Sequence, residues 1–277
     1  MARFSKQRNE FAARVTSLAM SPPIQLISTD FDGTLHAEFE TPPVPLDLQR
    51  LIGDLQRQGA QWVINTGRDL SSLLETMARA HLGIKPDWIV TVEREIYRHK
   101  DSSYVGVPEW NLACTRDHDT LFARVREDLP RLTGWVNERH TATVYEDPYS
   151  PFCLIAEDVE SANAIQFFLE EYCGQVPRLT VVRNDVYARF SHEAYNKGTA
   201  LGEISRLLGL SRDVVFVAGD HYNDLPMLDR AFARWIVAPV NAIDAVKVKV
   251  REQGGYVSHQ PCGHGVARGL EFCLETK

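Results

Sequence analysis

The sequence predicts an α/β protein, a parallel-sheet core into which an α+β unit is inserted. Three observations predict it. Short apolar runs ending in polar, glycine-containing tips alternate with amphipathic segments near both ends of the chain. The stretch between them loses that alternation. The 277 residues also exceed the about 100–200 of a typical single domain.

In the first part, Ile24–Asp30 (IQLISTD) reads as a buried strand running into a polar tip. After Pro42, Pro43 and Pro45, Leu48, Leu51, Ile52 and Leu55 place a helix over Leu46–Gln58, which Gly59 ends. Gln61–Asn65 is a second strand, Asp69–Ala80 a second helix and Trp88–Val92 a third strand. Strand–helix–strand order implies parallel pairing with right-handed crossovers. The last part repeats it: helix Gly198–Leu208, strand Val214–Ala218, short helix Pro226–Ala231, strand Arg234–Val237, and helices Ala242–Gln253 and Gly265–Leu274. In the middle, helical patterns at Asp117–Leu129 and Ser161–Tyr172 sit among β-prone runs at Ala142–Tyr145, Phe152–Ala156, Leu179–Val182 and Val186–Phe190. The expected division is an extension over 1–23, a discontinuous core over 24–101 and 191–277, and an inserted domain over 102–190.

Bulk properties narrow the function. Thirty basic against 37 acidic residues give a net charge of −7, which argues against a nucleic-acid binder held by phosphate attraction. No run approaches the roughly 20 apolar residues of a membrane span. Five scattered cysteines without a C-x-x-C pair suit reduced thiols in the cytoplasm, and Cys262 with His264 cannot close a zinc shell alone. In the extension, Phe11, Val15 and Leu18 fall at helical spacing among Arg3, Lys6, Arg8 and Arg14. A short amphipathic helix is the plainer reading, and organelle targeting by residues 1–20 the other.

The chemistry gathers at strand ends. Asp30-Phe31-Asp32-Gly33-Thr34 directly follows an apolar strand. Residues i and i+2 of an extended chain point the same way. Asp30 and Asp32 can therefore project together from the carboxyl end of the strand, where open parallel sheets bind ligands. Paired carboxylates call for a cation or a raised pKa. A simple Asp/Gly turn is the alternative; a calcium loop of EF-hand type fails, because no Glu closes the loop. Gly219-Asp220-His221-Tyr222-Asn223-Asp224 adds two carboxylates at another strand end, suited to magnesium or to helix capping by Asn223 or Asp224. Thr66-Gly67-Arg68 can bind an anion or merely cap a helix. Lys197 precedes a helix and is either a phosphate partner or a solvated lysine.

Taken in chain order, these four motifs resemble those of the haloacid dehalogenase-like phosphatase superfamily, matching at Asp30/Asp32, Thr66, Lys197 and Asp220/Asp224 over residues 24–100 and 190–277. The resemblance implies a Rossmann-like core. The about 130 residues between Thr66 and Lys197 look like a C2-type cap of the Cof-like sugar-phosphate phosphatase branch. Many relatives carry Asn-Gly after the third strand, whereas this chain has Glu93-Arg94-Glu95. By the resemblance the chain is a phosphomonoester hydrolase for a small phosphorylated metabolite such as a sugar phosphate, working through an aspartyl phosphate. Asp30 is the nucleophile and Asp32 the acid and base. Mg2+ sits on Asp30, the Asp32 carbonyl and Asp220, with Asn223 and Asp224 behind them. Thr66, the Gly67 N–H and Lys197 hold the phosphate. Arg183, Asn184, Arg189, His192 and Tyr145–Asp147 are candidates for substrate selection, and Glu93 with Glu95 is expected to form an acidic rim for sugar hydroxyls. A phosphosugar mutase and a non-catalytic sensor on the same scaffold are the rival readings.

Overall fold

The computed structural model describes residues 22–276, so the amphipathic segment expected over 1–20 lies outside the described residues. An eight-stranded sheet has the order β12-β11-β10-β1-β2-β3-β4-β5. Its strands are β1 (Leu26–Thr29), β2 (Gln61–Asn65), β3 (Trp88–Thr91), β4 (Glu95–Lys100), β5 (Ser103–Gly106), β10 (Val215–Ala218), β11 (Trp235–Ala238) and β12 (Tyr256–Val257). The six strands from β12 to β3 are parallel, while β4 and β5 extend the sheet antiparallel.

Alternation along the central strands explains why both faces are covered. In β10, Phe216 and Ala218 belong to one apolar cluster and Val215 and Val217 to the other; Trp62 and Ile64 oppose Val63 in β2 in the same way. Successive strand side chains point to opposite faces, so an uninterrupted apolar strand needs cover on both. Helices α1 (Leu46–Arg57), α2 (Leu70–Arg79) and α8 (Cys262–Glu275) cover the first face through Leu48, Leu73 and Val266. Helices α6 (Lys197–Leu208) and α7 (Asp244–Glu252) cover the second through Leu201 and Val246.

A second, antiparallel sheet of order β6-β7-β9-β8 lies between β5 and β10 in the chain. It comprises β6 (Ala142–Asp147), β7 (Ser150–Ala156), β8 (Leu179–Asn184) and β9 (Tyr187–His192). Its apolar face packs on α3 (Pro108–Val125), α4 (Leu129–Arg139) and α5 (Val159–Cys173) around Phe152, Leu154, Phe190, Leu121 and Ile165. The period of two turns Cys153, Tyr187 and Arg189 to the other face.

Several expectations are corrected. Pro226–Ala231 is a run of turns; the helical bonds here form earlier, in a short 3₁₀ turn at Tyr222–Asp224. The third strand ends at Thr91, because Val92 and Glu93 both turn left-handed, with φ of 46° and 62°. The helix expected over Asp117–Leu129 is the junction of α3 and α4 through a 3₁₀ turn. Strands β4 and β5 were not expected: Ile96 is the one buried residue among their ten, as befits an exposed edge. All five cysteines are free thiols.

His118 fastens α3 to β9 of the second sheet. Its Nε2 accepts the His192 N–H at 3.1 Å, and its Nδ1 bonds the Cys114 carbonyl at 2.8 Å, so the ring is neutral. Burial, aided by the Arg94 guanidinium, pushes its pKa down to about 3. The unfolded chain binds that proton near the ordinary value of about 6.5. Stability from this group is therefore complete above pH 6.5 and drains away as pH falls toward 3. Relative to His118→Gln, the parent should lose about 2 kcal/mol between pH 7.5 and 5. Urea unfolding at both pH values checks this; equal losses in the two proteins would refute it.

Candidate active site

Parallel register brings three strand ends together. Thr29 of β1 pairs with Ala218 of β10 and with Ile64 of β2. The loops after these strands, starting at Asp30, Gly219 and Thr66, therefore emerge side by side. The Asp30 N–H donates to the Ala218 carbonyl at 2.9 Å, which fixes the Asp30 loop against the Gly219 loop.

Lys197 opens α6 and is fully buried. Asn196 before it caps the helix by accepting from the Gly198 and Thr199 N–H groups. The Lys197 Nζ donates to Asp30 Oδ1 and to Asp224 Oδ1, each at 2.6 Å. Burial disfavours its charge, but Asp224 and Asp30 outweigh burial and raise its pKa. Asp224 Oδ2 accepts from the Asp220 and His221 N–H groups at 2.8 and 2.9 Å, so one carboxylate aligns both the lysine and the loop.

Burial raises the Asp30 pKa well above the carboxylate range; Lys197 opposes this, while Asp224 and Asp220 add to it. Asp220 is pushed up to about 7, first by burial and then by Asp224, against the Thr34 hydroxyl, which donates to its Oδ1 at 2.6 Å. Carboxylate oxygens of Asp30, Asp220 and Asp224 lie within 4.8 Å of one another. This is a set of hard donors carrying more negative charge than one lysine neutralises, and it fits a small divalent cation.

Asp32 stands apart from that cluster and is more open, with its side chain 39% exposed. Arg68 clamps it from both sides, Nε to Oδ2 at 2.6 Å and Nη2 to Oδ1 at 2.8 Å. The Thr66 hydroxyl accepts the Arg68 N–H at 3.2 Å. Helix α2 is capped by Asp69, so Thr66 and Gly67 lie in the loop ahead of the helix and not in its first turn.

The selection candidates part company. Arg189 reaches the loop: its Nη2 lies 3.4 Å from the Gly67 carbonyl, and it pairs with Glu93. Arg183 is buried against α5, donating to Asn163 and Gln166. The His192 N–H turns to His118, and Asn184 pairs with Tyr187 in the β8–β9 hairpin, whose Asp185 N–H donates to His221 Nδ1 at 3.2 Å. Asp147 caps its own hairpin through the Tyr149 and Ser150 N–H groups. The acidic rim is also corrected. Glu93 is buried between Arg189 and Asn223, while Glu95 accepts from the Tyr97 hydroxyl. Sequence reasoning missed Arg68 and Thr34; both stand inside motifs read for their neighbours, and their partners lie 36 and 186 residues away.

Residues 128–270 match the family model described as haloacid dehalogenase-like hydrolase. The chain belongs to that family. The matched stretch includes Lys197, Asp220 and Asp224 and begins after Asp30. A Streptococcus pyogenes serotype M6 protein named as a candidate phosphatase is 20% identical, over 89% of this chain and 97% of its own length. Among solved structures, the sucrose-phosphatase of Synechocystis sp. PCC6803, in complex with sucrose and phosphate, matches with a TM-score of 0.67 at 18% identity, over 92% of this chain and 98% of that one. A haloacid dehalogenase-like hydrolase from B. subtilis matches with a TM-score of 0.62 at 18% identity, over 90% and 99%. The two structures share the fold of this hydrolase. No helix among its described residues is long and apolar enough to cross a membrane.

Gly33 offers a direct check on the loop. Its φ of +75° is left-handed, and a Cβ there would lie 2.5 Å from Asp220 Oδ2. Gly33→Ala should cost about 1–2 kcal/mol from the backbone alone, more once Asp220 is displaced. Urea unfolding measures it, and an unchanged midpoint would contradict this loop geometry.

Proposed function

We propose that this hydrolase is a magnesium-dependent phosphatase that cleaves the phosphomonoester of a small metabolite, a sugar phosphate foremost, through an aspartyl phosphate on Asp30. The observation that carries the reading is the buried Lys197 ammonium held between Asp30 and Asp224. It keeps a fixed positive charge beside a nucleophilic carboxylate, and positioned charge is most of what phosphoryl transfer requires.

Asp30 attacks phosphorus with the oxygen that Lys197 leaves free, and the ester oxygen departs. Asp32 protonates that oxygen, then takes a proton from the water that hydrolyses the acyl phosphate. Both Asp32 oxygens are occupied by Arg68. The donor role therefore requires the entering substrate to replace at least one of those bonds. The Thr66 hydroxyl, the Gly67 N–H and Lys197 receive the phosphoryl oxygens. Asp30, Asp220 and the Asp32 carbonyl would hold Mg2+, while Asp224, with Asn223 beside it, sets Lys197 and the loop. When bound, the ion would offset negative charge on the phosphoryl oxygens.

The second sheet with α3–α5 is the cap in this reading and selects the substrate. A cavity of about 470 Å³ lies between α3, the β3–β4 turn and the β6–β7 hairpin, lined by Arg94, Glu95, Asp119, Glu146, Asp147 and Tyr149. Its lining includes none of the clustered carboxylates; the Glu93-Arg94-Glu95 turn links it to them. Carboxylates that accept and an arginine that donates suit hydroxyl groups. The sucrose-phosphatase likeness supports the same substrate class.

Phosphate release from a panel of phosphorylated sugars, sugar acids and nucleotides, with Mg2+ and after chelation, tests the reading. Activity should vanish on chelation and return with Mg2+. Asp30→Asn should abolish turnover with the fold retained, and normal turnover would overturn the assignment. Asp32→Asn should cost about 10²–10⁴-fold on an alkyl phosphate and much less on an activated aryl phosphate. Equal losses on the two would remove Asp32 from the acid role.

A further inference from the structure

Among the described residues, one buried ion pair joins the two sheets next to the Thr66–Gly67 loop. Glu93 lies in the β3–β4 turn and Arg189 on the polar face of β9; their side chains are 4% and 3% exposed. Arg189 Nη2 donates to Glu93 Oε2, and Asn223 Nδ2 donates to Glu93 Oε1 at 3.2 Å. The same arginine nitrogen lies 3.4 Å from the Gly67 carbonyl, and Glu93 Oε1 sits so close over Gly67 that a Cβ there would be 2.8 Å away. The turn is tied to the loop by its backbone as well, Glu93 N–H to the Thr66 carbonyl and Val92 N–H to the Arg68 carbonyl, each at 3.0 Å.

We propose that Glu93 and Arg189 are positioning residues that lock the second sheet onto the Thr66–Gly67 loop, so that the position of that sheet sets the position of the phosphate-binding groups. The inference rests on the proposed role of that loop. Three features single the pair out from ordinary packing. Glu93 occupies a left-handed position that favours glycine, and its predecessor does too, so the side chain at 93 is kept against a backbone preference. A buried ion pair is often no more stabilising than apolar residues of the same volume, so stability alone does not call for one here. Finally, Arg189 Nε is buried without a partner, which leaves the guanidinium held from one side only, by Glu93 and Gly67. Arg94 adds a second attachment from the same turn, donating to the Tyr149 carbonyl at 2.6 Å.

Removing one charge would strand the other, so the informative variant neutralises both: Glu93→Gln with Arg189→Met. Circular dichroism melting confirms that it folds. With p-nitrophenyl phosphate, which has little for a cap to read, kcat should fall about a hundredfold, with KM changed far less. Hydrogen exchange on peptides covering 64–69 and 187–192 should quicken in both segments, with the centres of both sheets unaffected. Arg189→Lys, which keeps the charge beside Glu93, should recover part of kcat. A folded double variant with the parent's kcat, or with unchanged exchange in both segments, overturns the positioning role. A parent without phosphatase activity would instead defeat the proposed function, and the exchange measurement would still decide whether the pair locks sheet to loop.

Discussion

The Lys197 ammonium between Asp30 and Asp224 is the constraint around which the molecule is arranged. A fully buried lysine is tolerable only when fixed partners meet its charge. Here those partners come from loops 167 and 27 residues away in the chain. Meeting them requires β1 beside β10, with α6 arriving at the same carboxyl edge. Parallel order supplies that, because every loop that follows a strand opens on one side of the sheet. Asp224 also needs its own geometry: Gly219 has no Cβ, and one placed there would lie 2.5 Å from the Asp224 Cβ. The small residues around the site thus let carboxylates approach backbone closely.

That same lysine does not neutralise the cluster. Asp30 and Asp220 both hold raised pKa values, first from burial and then from their carboxylate neighbours. The Thr34 hydroxyl relieves Asp220 and leaves its second oxygen free of any side-chain partner among the described residues. Asp32 lies outside this tension, more exposed and gripped by Arg68. Two carboxylates that share a motif therefore occupy contrasting environments, one buried against Lys197 and the other half-open against Arg68.

Much of this was legible in the sequence because the relevant signals are local. An apolar run followed by Asp-x-Asp-Gly announces a strand and its end within ten residues; the shared direction expected for Asp30 and Asp32 is lost because the strand stops at Thr29. Lys197 was legible only through order along the chain, since one lysine before a helix says little. What stayed hidden depends on distant partners or weak patterning. Strands β4 and β5 carry almost no buried alternation because they form an edge. The turns at Pro226–Ala231 mimic a helix in composition, but the chain there closes against α6: the Pro226 carbonyl would lie 2.4 Å from a Cβ on Gly198. Arg68, Thr34 and Glu93 acquire their meaning from partners that no spacing rule could supply.

Glu93 shows how a departure from a family pattern becomes informative once the fold is known. A carboxylate in place of a small residue, read along the chain, suggests a solvent-facing acidic rim. In three dimensions the left-handed turn folds that carboxylate inward, over Gly67 and against Asn223, where an unpaired charge would be severely destabilising. Arg189 is what makes Glu93 tolerable: burial alone would raise the Glu93 pKa, and Arg189 chiefly brings it below the ordinary value. Arg189 can do so because the period of two on β9 sends it to the face opposite Phe190. An acidic turn in one sheet therefore demands a basic residue of the right parity in the other, which binds the identity of the inserted unit to the geometry of the core it covers.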